Sequence, residues 1–286
     1  MNPALVALLL GATCIALSPI FVRLSETGPT ATAFWRVALA VPVLWILYAV
    51  KAKGSSSTPY SGKWPLLFAA GFAFAGDLGF WHASIQHTSV ANSTLLANLA
   101  SIFVTLAAWI FLRQKPTGVF LAGLAAALVG VAMLVRTSLG YSPTGILGDA
   151  LGVVTAIFYA GYILAVKGLR DRGETTLHLM AVTSTITAIL LLPVALATEG
   201  GLLPGSLYGW GILLGLALIS HAAGQGLIAY ALAHLPAAFS SVGLLLQPVV
   251  AAAFAWVLLS EPLVPLQIAG GVVVLIGIYL ARRGST

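Results

Sequence analysis

The sequence predicts an all-α integral membrane protein of ten transmembrane helices, arranged as two inverted five-helix repeats. Composition is the first reason, because 60% of the 286 residues are hydrophobic and only 7% are charged, whereas a soluble domain carries about 25% charged residues. The second reason is that the apolar runs reach the roughly 20 residues that a helix needs to cross a bilayer. The third is that the second half of the chain repeats features of the first at a constant offset.

Ten apolar runs follow one another along the chain, separated by short segments rich in Gly, Pro and Ser. The first run, ALVALLLGATCIALSPIFVRLS, lacks the basic leading region and the cleavage site of a signal peptide, so we expect it to be a retained span. No connection is long enough for a soluble domain. The predicted spans cover residues 4–24, 30–50, 64–86, 89–112, 117–136, 144–167, 175–198, 206–233, 237–259 and 263–281.

Lysine and arginine are distributed unevenly between the two sides of the predicted membrane. With the N-terminus inside, ten of the 13 Lys and Arg residues lie on the cytoplasmic side. This positive-inside bias predicts that both termini are cytoplasmic. We expect the membrane to be of the bacterial inner (plasma) type. The inner group is Lys51, Lys53, Lys63, Arg113, Lys115, Lys167, Arg170, Arg172, Arg282 and Arg283, and the outer group is Arg23, Arg36 and Arg136.

Several function classes are disfavoured by the same residues. The net charge of +6 does not indicate a nucleic-acid partner, because the basic residues lie in short loops between apolar runs. Cys14 is the one cysteine, so neither a disulfide nor a cysteine-based metal site can form within the chain. The five histidines are scattered, and no H-E-x-x-H, C-x-x-C or G-x-S-x-G pattern occurs. We therefore expect no enzyme activity, no cofactor and no metal.

An offset of 147 residues superposes the two halves of the chain. The segment LAGLAAALVG at 121–130 then lies over IAGGVVVLIG at 268–277, and Trp109 lies over Trp256. We predict a first five-helix repeat over 1–140 and a second over 141–286. Because five spans per repeat is an odd number, the second repeat crosses the membrane in the opposite sense, an arrangement typical of secondary transporters. The same offset also pairs Gly123 with Gly270, Gly130 with Gly277 and His87 with His234.

The chain resembles the drug/metabolite transporter superfamily, and specifically its EamA-type members. The motifs LSPIFVRL in the first span, FWRVALA with Arg36 in the second, and LLLQPVVAAAFAWVLLSEPLVPLQIAGGVVVLIGIYL with Glu261 in the last two resemble that family's signatures. Within the superfamily, the chain resembles the YddG-type amino-acid exporters. The resemblance implies a ten-helix carrier of small metabolites and favours export.

Asp77 is the one acidic residue well inside a predicted span. A carboxylate at the centre of a helix costs about 2.5–3.5 kcal/mol on insertion scales, so it should face protein or water. Helical periodicity places Ala73, Asp77, Phe80, Trp81 and Ser84 on one face. His82 lies on another face and should point elsewhere. Two interpretations of Asp77 remain open: it lines a central cavity, or a neighbouring helix satisfies it structurally.

Polar and aromatic stripes on other spans suggest the remaining walls of such a cavity. The stripes are Cys14, Ser18 and Phe21 in span one; Thr94, Asn98, Ser101 and Thr105 in span four; Thr155, Tyr159 and Tyr162 in span six; and His221, Gly224 and Gln225 in span eight. Close helix packing is the alternative interpretation of these stripes. The predicted substrate-binding residues are Ser18, Phe21, Asp77, Trp81, Ser84, Asn98, Tyr159, Tyr162, His221 and Gln225.

The predicted cavity has no cation at its centre, because Arg23 and Arg36 are expected toward the outer ends of their spans. Phosphorylated substrates require Arg or Lys partners, so we expect an amino acid, a related zwitterion or a neutral metabolite as the small-molecule substrate. A channel, an intramembrane enzyme, and a carrier of drug-like or sugar metabolites are the alternatives. Proton coupling and facilitated diffusion both fit, as do a monomer and a homodimer.

Overall fold

Ten membrane-spanning helices build the protein, as the sequence predicts. The computed structural model describes residues 2–52, 63–88, 90–136, 145–260 and 262–285. The described residues contain no strand, and ten helices are long and apolar enough to span a membrane. Spans one to ten are Pro3–Leu24, Pro29–Lys51, Trp64–His87, Ser93–Phe111, Gly118–Val135, Gly145–Asp171, Thr176–Thr198, Leu207–Ala231, Ala237–Leu259 and Pro265–Gly284. Lys53 and Glu261, which the sequence analysis singled out, lie outside the described residues.

Within the described residues, five spans are interrupted, which the sequence-based spans did not anticipate. Span one breaks at Leu17, just before Pro19, whose missing N–H removes a helical hydrogen bond. Spans two, four and nine break similarly, and span eight contains a π-helical segment. The helices are Pro3–Ala16, Ser18–Leu24, Pro29–Ala38, Ala40–Ala52, Trp64–His87, Val90–Ala97, Ala100–Leu112, Gly118–Val135, Gly145–Asp171, Thr176–Thr198, Leu207–Gly215, Leu216–Gln225 (π), Gly226–Ala231, Ala237–Gly243, Leu246–Leu259 and Pro265–Gly284.

The spans pack as two groups around a central space. Span three packs along spans six and seven, and span four packs against span six. Span one packs along span eight, and the second helix of span nine packs against span one. Spans two and seven pack together on one side of the molecule, and spans five and ten on another. The centre is thus bordered by spans three, four and six on one side and by spans one, eight and nine on the other, and span two also reaches it.

Glycine allows spans five and ten to approach to backbone contact. A Cβ atom on Gly123 would lie 2.7 Å from the Gly277 oxygen, and one on Gly130 would lie 2.6 Å from the Gly270 oxygen. The residue numbers of the contacting pairs rise in one helix and fall in the other, so the helices are antiparallel. Small residues that let backbones meet are the usual means of helix association in a membrane.

Candidate functional site

A cavity of about 140 Å³ lies between the two groups of spans. Its walls combine polar side chains with the rings of Phe74 and Trp81. One water needs at least roughly 10–15 Å³ of such space, so the cavity has room for a small molecule. The polar lining residues are Ser18, Arg36, Asp77, Thr94, Asn98, Tyr159, Gln225 and Gln247.

The helix interruptions supply three of these polar side chains. Ser18 is the first residue after the break in span one, Asn98 lies in the break of span four, and Gln247 follows the break in span nine. Discontinuous helices are the elements from which transporters of this kind build their binding sites, because a break places side chains and unpaired backbone groups at membrane depth. The π-helical segment of span eight ends at Gln225, beside the cavity.

Asp77 lies in the wall of the cavity, midway along the uninterrupted span three. Trp81, one helical turn farther on, lines the same cavity. His82 does not line it. The ring of His82 is buried, and its Nδ1 atom lies 2.7 Å from the Leu78 oxygen. The acid and the imidazole therefore occupy different faces of the helix, in agreement with the helical periodicity.

Arg36 also lines the cavity, which corrects the expectation that it lies toward the outer end of its span. The side chain is buried, with 6% of the residue exposed, and its Nε atom has no hydrogen-bond partner among the residues that the structure describes. No ion pair within 4.0 Å joins Arg36 to Asp77 or to another residue that the structure describes. Both side chains therefore line the same cavity without being bound to each other.

Two further cavity residues carry buried polar atoms without partners among the described residues. These atoms are the Ser18 hydroxyl oxygen and the Gln225 amide oxygen, in residues that are 5% and 2% exposed. The carboxamides of Gln225 and Gln247 lie beside the Tyr159 hydroxyl. Buried polar atoms in proteins are nearly always hydrogen-bonded, so each exception requires an explanation. A polar ligand in the cavity would provide the missing partners.

Six of the ten residues predicted from the sequence to bind substrate face this cavity, and four do not. The rings of Tyr162 and His221 pack against the Phe74 ring, with centroids 4.7 and 5.4 Å away, and neither residue lines the cavity. Ser84 donates a hydrogen bond of 2.7 Å to the Gly148 oxygen, at the contact between spans three and six. The six that face the cavity are Ser18, Asp77, Trp81, Asn98, Tyr159 and Gln225.

Phe21 is the fourth predicted residue outside the cavity lining. Its ring lies against Gly215, where an added Cβ would approach the ring to 2.8 Å. Conversely, Arg36 and Gln247 line the cavity but were absent from the predicted set. Both had a signal in the sequence: Arg36 follows Pro29 by seven residues, about 10 Å along a helix, and Gln247 is a lone amide in an apolar run.

The central cavity continues toward one side of the protein. A second cavity, of about 450 Å³, shares Pro19, Trp81 and Ala251 with the central one and extends to Arg23 and Leu259 at the ends of their spans. A third cavity, of about 500 Å³, lies toward the other side and is bordered by residues including Lys115, Lys167 and His234. It shares no lining residue with the central cavity.

Comparison with known proteins adds sequence and fold relationships. A sequence model described as the EamA-like transporter family matches residues 2–136 and again 146–283. The chain is 27% identical to the pseudopaline exporter CntI of Pseudomonas aeruginosa, over 98% of this chain and 95% of that protein. It is 28% identical to the threonine/homoserine exporter RhtA of Salmonella typhimurium, over 78% and 70%. A solved crystal structure matches its fold with a TM-score of 0.85 at 13% identity, covering 99% and 98% of the two chains.

Proposed function

Because the chain belongs to the EamA-like transporter family, we propose that it is a secondary transporter that exports amino acids or related small zwitterions. The observation that carries this proposal is the central cavity, where one carboxylate and one guanidinium are present but not paired. Buried charges are costly unless they are compensated. A zwitterion would compensate both at once, and a neutral or singly charged metabolite would not.

The size and the chemistry of the cavity support a substrate of this class. A cavity of about 140 Å³ suits a molecule as small as an amino acid. The Phe74 and Trp81 rings offer apolar surface, and few, well-placed polar groups are typical of small-molecule sites. The names of two relatives indicate export, and one of these is an exporter of the amino acids threonine and homoserine.

Asp77 is the proposed contact for the substrate ammonium group. Ser18, Asn98, Tyr159 and Gln225 would surround the rest of the substrate, because their polar groups line the same cavity. Phe21, Ser84, Tyr162 and His221 would then act through packing. In particular, Tyr162 and His221 pack against the Phe74 ring.

Alternating access between two inverted repeats, 1–140 and 141–286, is the proposed mechanism. Three observations support it: the family model matches each half separately, spans five and ten cross antiparallel at equivalent glycines, and the central cavity shares Pro19, Trp81 and Ala251 with a second cavity that extends toward one side. Rocking of one group of spans against the other would transfer the opening.

Both termini are proposed to be cytoplasmic, so that the second cavity, which extends to Arg23, faces outward. The support is the excess of Lys and Arg in the loops on the side of the termini. Reporter fusions to the C-terminus test this topology. A reporter active only outside the cytoplasm would contradict it.

Flux through proteoliposomes tests the transport proposal itself. Purified protein should move radiolabelled amino acids with saturation and with counter-exchange, neither of which a channel shows. An intramembrane enzyme would instead convert the compound, which chromatography of the recovered label detects. Repeating the assay with an imposed pH gradient distinguishes proton coupling, in which the gradient drives accumulation, from facilitated diffusion. No flux for any member of a broad amino-acid panel would contradict the proposal.

A further inference from the structure

We infer that Arg36 binds the carboxylate of the substrate and thereby makes the transporter select amino acids over the corresponding amines. The inference rests on the proposed function and goes beyond it, because it assigns selectivity to a residue outside the substrate-binding set that the sequence predicts. The starting observation is a buried guanidinium in the cavity wall with an unpartnered Nε atom. It needs an acceptor that the described residues do not supply.

The helix that carries Arg36 is held firmly in place. The Trp35 indole N–H donates to the Leu202 oxygen at 2.6 Å, and its ring meets the Trp210 ring edge to face at 5.0 Å. The Glu199 carboxylate accepts hydrogen bonds from the backbone N–H groups of Thr30 and Ala31, at the start of the same helix. A charged group on such a supported helix is preorganised for its ligand.

The chemistry of the guanidinium favours a carboxylate as that ligand. Its N–H groups form a planar fork that matches the two oxygens of a carboxylate. Asp77 is the nearby protein carboxylate in the cavity wall, yet it forms no ion pair with Arg36 within 4.0 Å. A substrate with both charges would bridge the gap, with its carboxylate on Arg36 and its ammonium on Asp77.

The same geometry predicts that amines are rejected. An amine that lacks the carboxylate would bring a second positive charge beside Arg36 without pairing it. A buried charge-assisted hydrogen bond contributes enough to change affinity by about ten- to a hundredfold. Selectivity of this kind combines an attractive contact for one ligand with repulsion of the other.

Matched ligand pairs test the inference. Each pair is an amino acid and its decarboxylated amine: L-threonine with 1-aminopropan-2-ol, L-leucine with 3-methylbutylamine, and L-phenylalanine with 2-phenylethylamine. Ligand-induced thermal stabilisation of the purified full chain gives an apparent affinity for each compound. We expect the wild-type protein to prefer the amino acid of any pair that it binds by about ten- to a hundredfold.

Three variants locate the selectivity. Arg36→Gln should abolish the preference and bind the amine more tightly than wild type does, a gain that misfolding cannot produce. Arg36→Lys should keep part of the preference, because it retains the charge and loses the fork. Arg172→Gln removes an arginine that is exposed outside the spans, and should leave both affinities unchanged.

The outcomes separate failure of the inference from failure of the proposed function. Equal wild-type affinity for amino acid and amine overturns the inference without the use of any variant. An Arg36→Gln protein that binds ligand and keeps the wild-type preference overturns it as well. If wild type binds neither member of any pair, the proposed amino-acid class fails and the inference fails with it.

Discussion

Arg113 and Ser260 adopt the same left-handed backbone conformation, with φ angles of 56° and 55°, and lie 147 positions apart. They are the two non-glycine residues with positive φ in the described chain. Each ends the second helix of its span, Arg113 in span four and Ser260 in span nine. Their separation equals the offset that superposes the two halves of the sequence, which supports the proposed repeat at a position where the residue types differ.

Glycine at either position should stabilise the protein. The left-handed conformation costs a non-glycine residue roughly 1–2 kcal/mol. Substitution by glycine removes this cost, but the greater conformational freedom of glycine in the unfolded chain offsets part of the gain. We expect Arg113→Gly and Ser260→Gly each to raise the free energy of unfolding by up to about 1 kcal/mol, measured as thermal unfolding in one detergent. Ser285→Gly is the control, since Ser285 ends a helix at a φ of −97° and should gain nothing. No gain at either test position would contradict the strain argument.

Spans five and ten should not tolerate a methyl group at their crossing. A Cβ on Gly130 would lie 2.6 Å from both the Gly270 oxygen and the Val274 nitrogen, so the backbones must separate. We expect Gly130→Ala to lower the free energy of unfolding by about 1–3 kcal/mol. Gly118→Ala is the control in the same helix, because nothing lies within 4 Å of its Cβ position. Equal melting temperatures of the two variants would refute close packing as the reason for glycine.

Two carboxylates cap helices across the two halves of the chain. Glu199 accepts from the N–H groups at the start of span two, and Glu26 accepts from the Ser206 N–H at 3.0 Å, at the start of span eight. We expect Glu199→Ala to cost about 1–2 kcal/mol, as loss of a helix N-cap does. Glu199→Gln keeps an acceptor oxygen and should cost less. Chemical denaturation of both variants checks the order, and a Gln variant as unstable as the Ala variant would argue against capping.

Asp77→Asn should weaken transport and leave the fold intact. The side chain lines the cavity and forms no ion pair with the described residues, so its neutralisation leaves no bound partner behind. If Asp77 were instead half of a buried pair, the change would lower stability by about 3–5 kcal/mol. Flux and thermal unfolding measured on the same preparation separate these cases. Asp171→Asn, at an exposed ion pair with Lys167, is the control, and normal flux in Asp77→Asn would remove Asp77 from the mechanism.

Glu174 should make stability depend on pH in the acid range. Burial raises the pKa of the Glu174 carboxyl, but hydrogen bonds and charges from His178 and Lys63 outweigh that effect, so the pKa lies below its ordinary value of 4.5. A group with a lowered folded-state pKa stabilises the fold above the unfolded value and loses that contribution as the pH falls through the folded one. The wild-type melting temperature should therefore exceed that of Glu174→Gln at pH 7, and the difference should shrink below pH 4.5. A constant difference would contradict this.

Local physics explains why so much of the architecture was predictable. Whether a run of residues can cross a bilayer depends on its own length and hydropathy, and all ten predicted spans correspond to observed ones. The face on which Asp77 lies also follows from one helix alone, because side chains repeat every 3.6 residues. For the same reason Trp81 could be placed on the face of Asp77, and His82 on a different face from Asp77.

The residues that line the cavity were only partly predictable from the sequence. Helical periodicity gives the face on which a side chain lies, but it does not show whether a residue of another helix separates that side chain from the cavity. Tyr159 and Tyr162 share one stripe, yet Tyr159 reaches the cavity and Tyr162 packs against Phe74. In span eight, likewise, Gln225 lines the cavity, whereas His221 packs against Phe74. Phe74 of span three contacts both Tyr162 and His221. The pattern of one helix does not contain the position of a side chain on another helix.

Sequence alone predicts the ten spans, the offset between the halves and the face of span three on which Asp77 lies. That Arg36 lines the same cavity as Asp77 follows from the packing of the helices. The depth of Arg36 depends on where span two begins and on two contacts that anchor this helix. Trp35 donates to Leu202 and Ala31 donates to Glu199, and each pair is separated by about 170 positions in the chain. Such contacts form between distant segments, so the charge of the cavity is a property of the packed helices and not of any one of them.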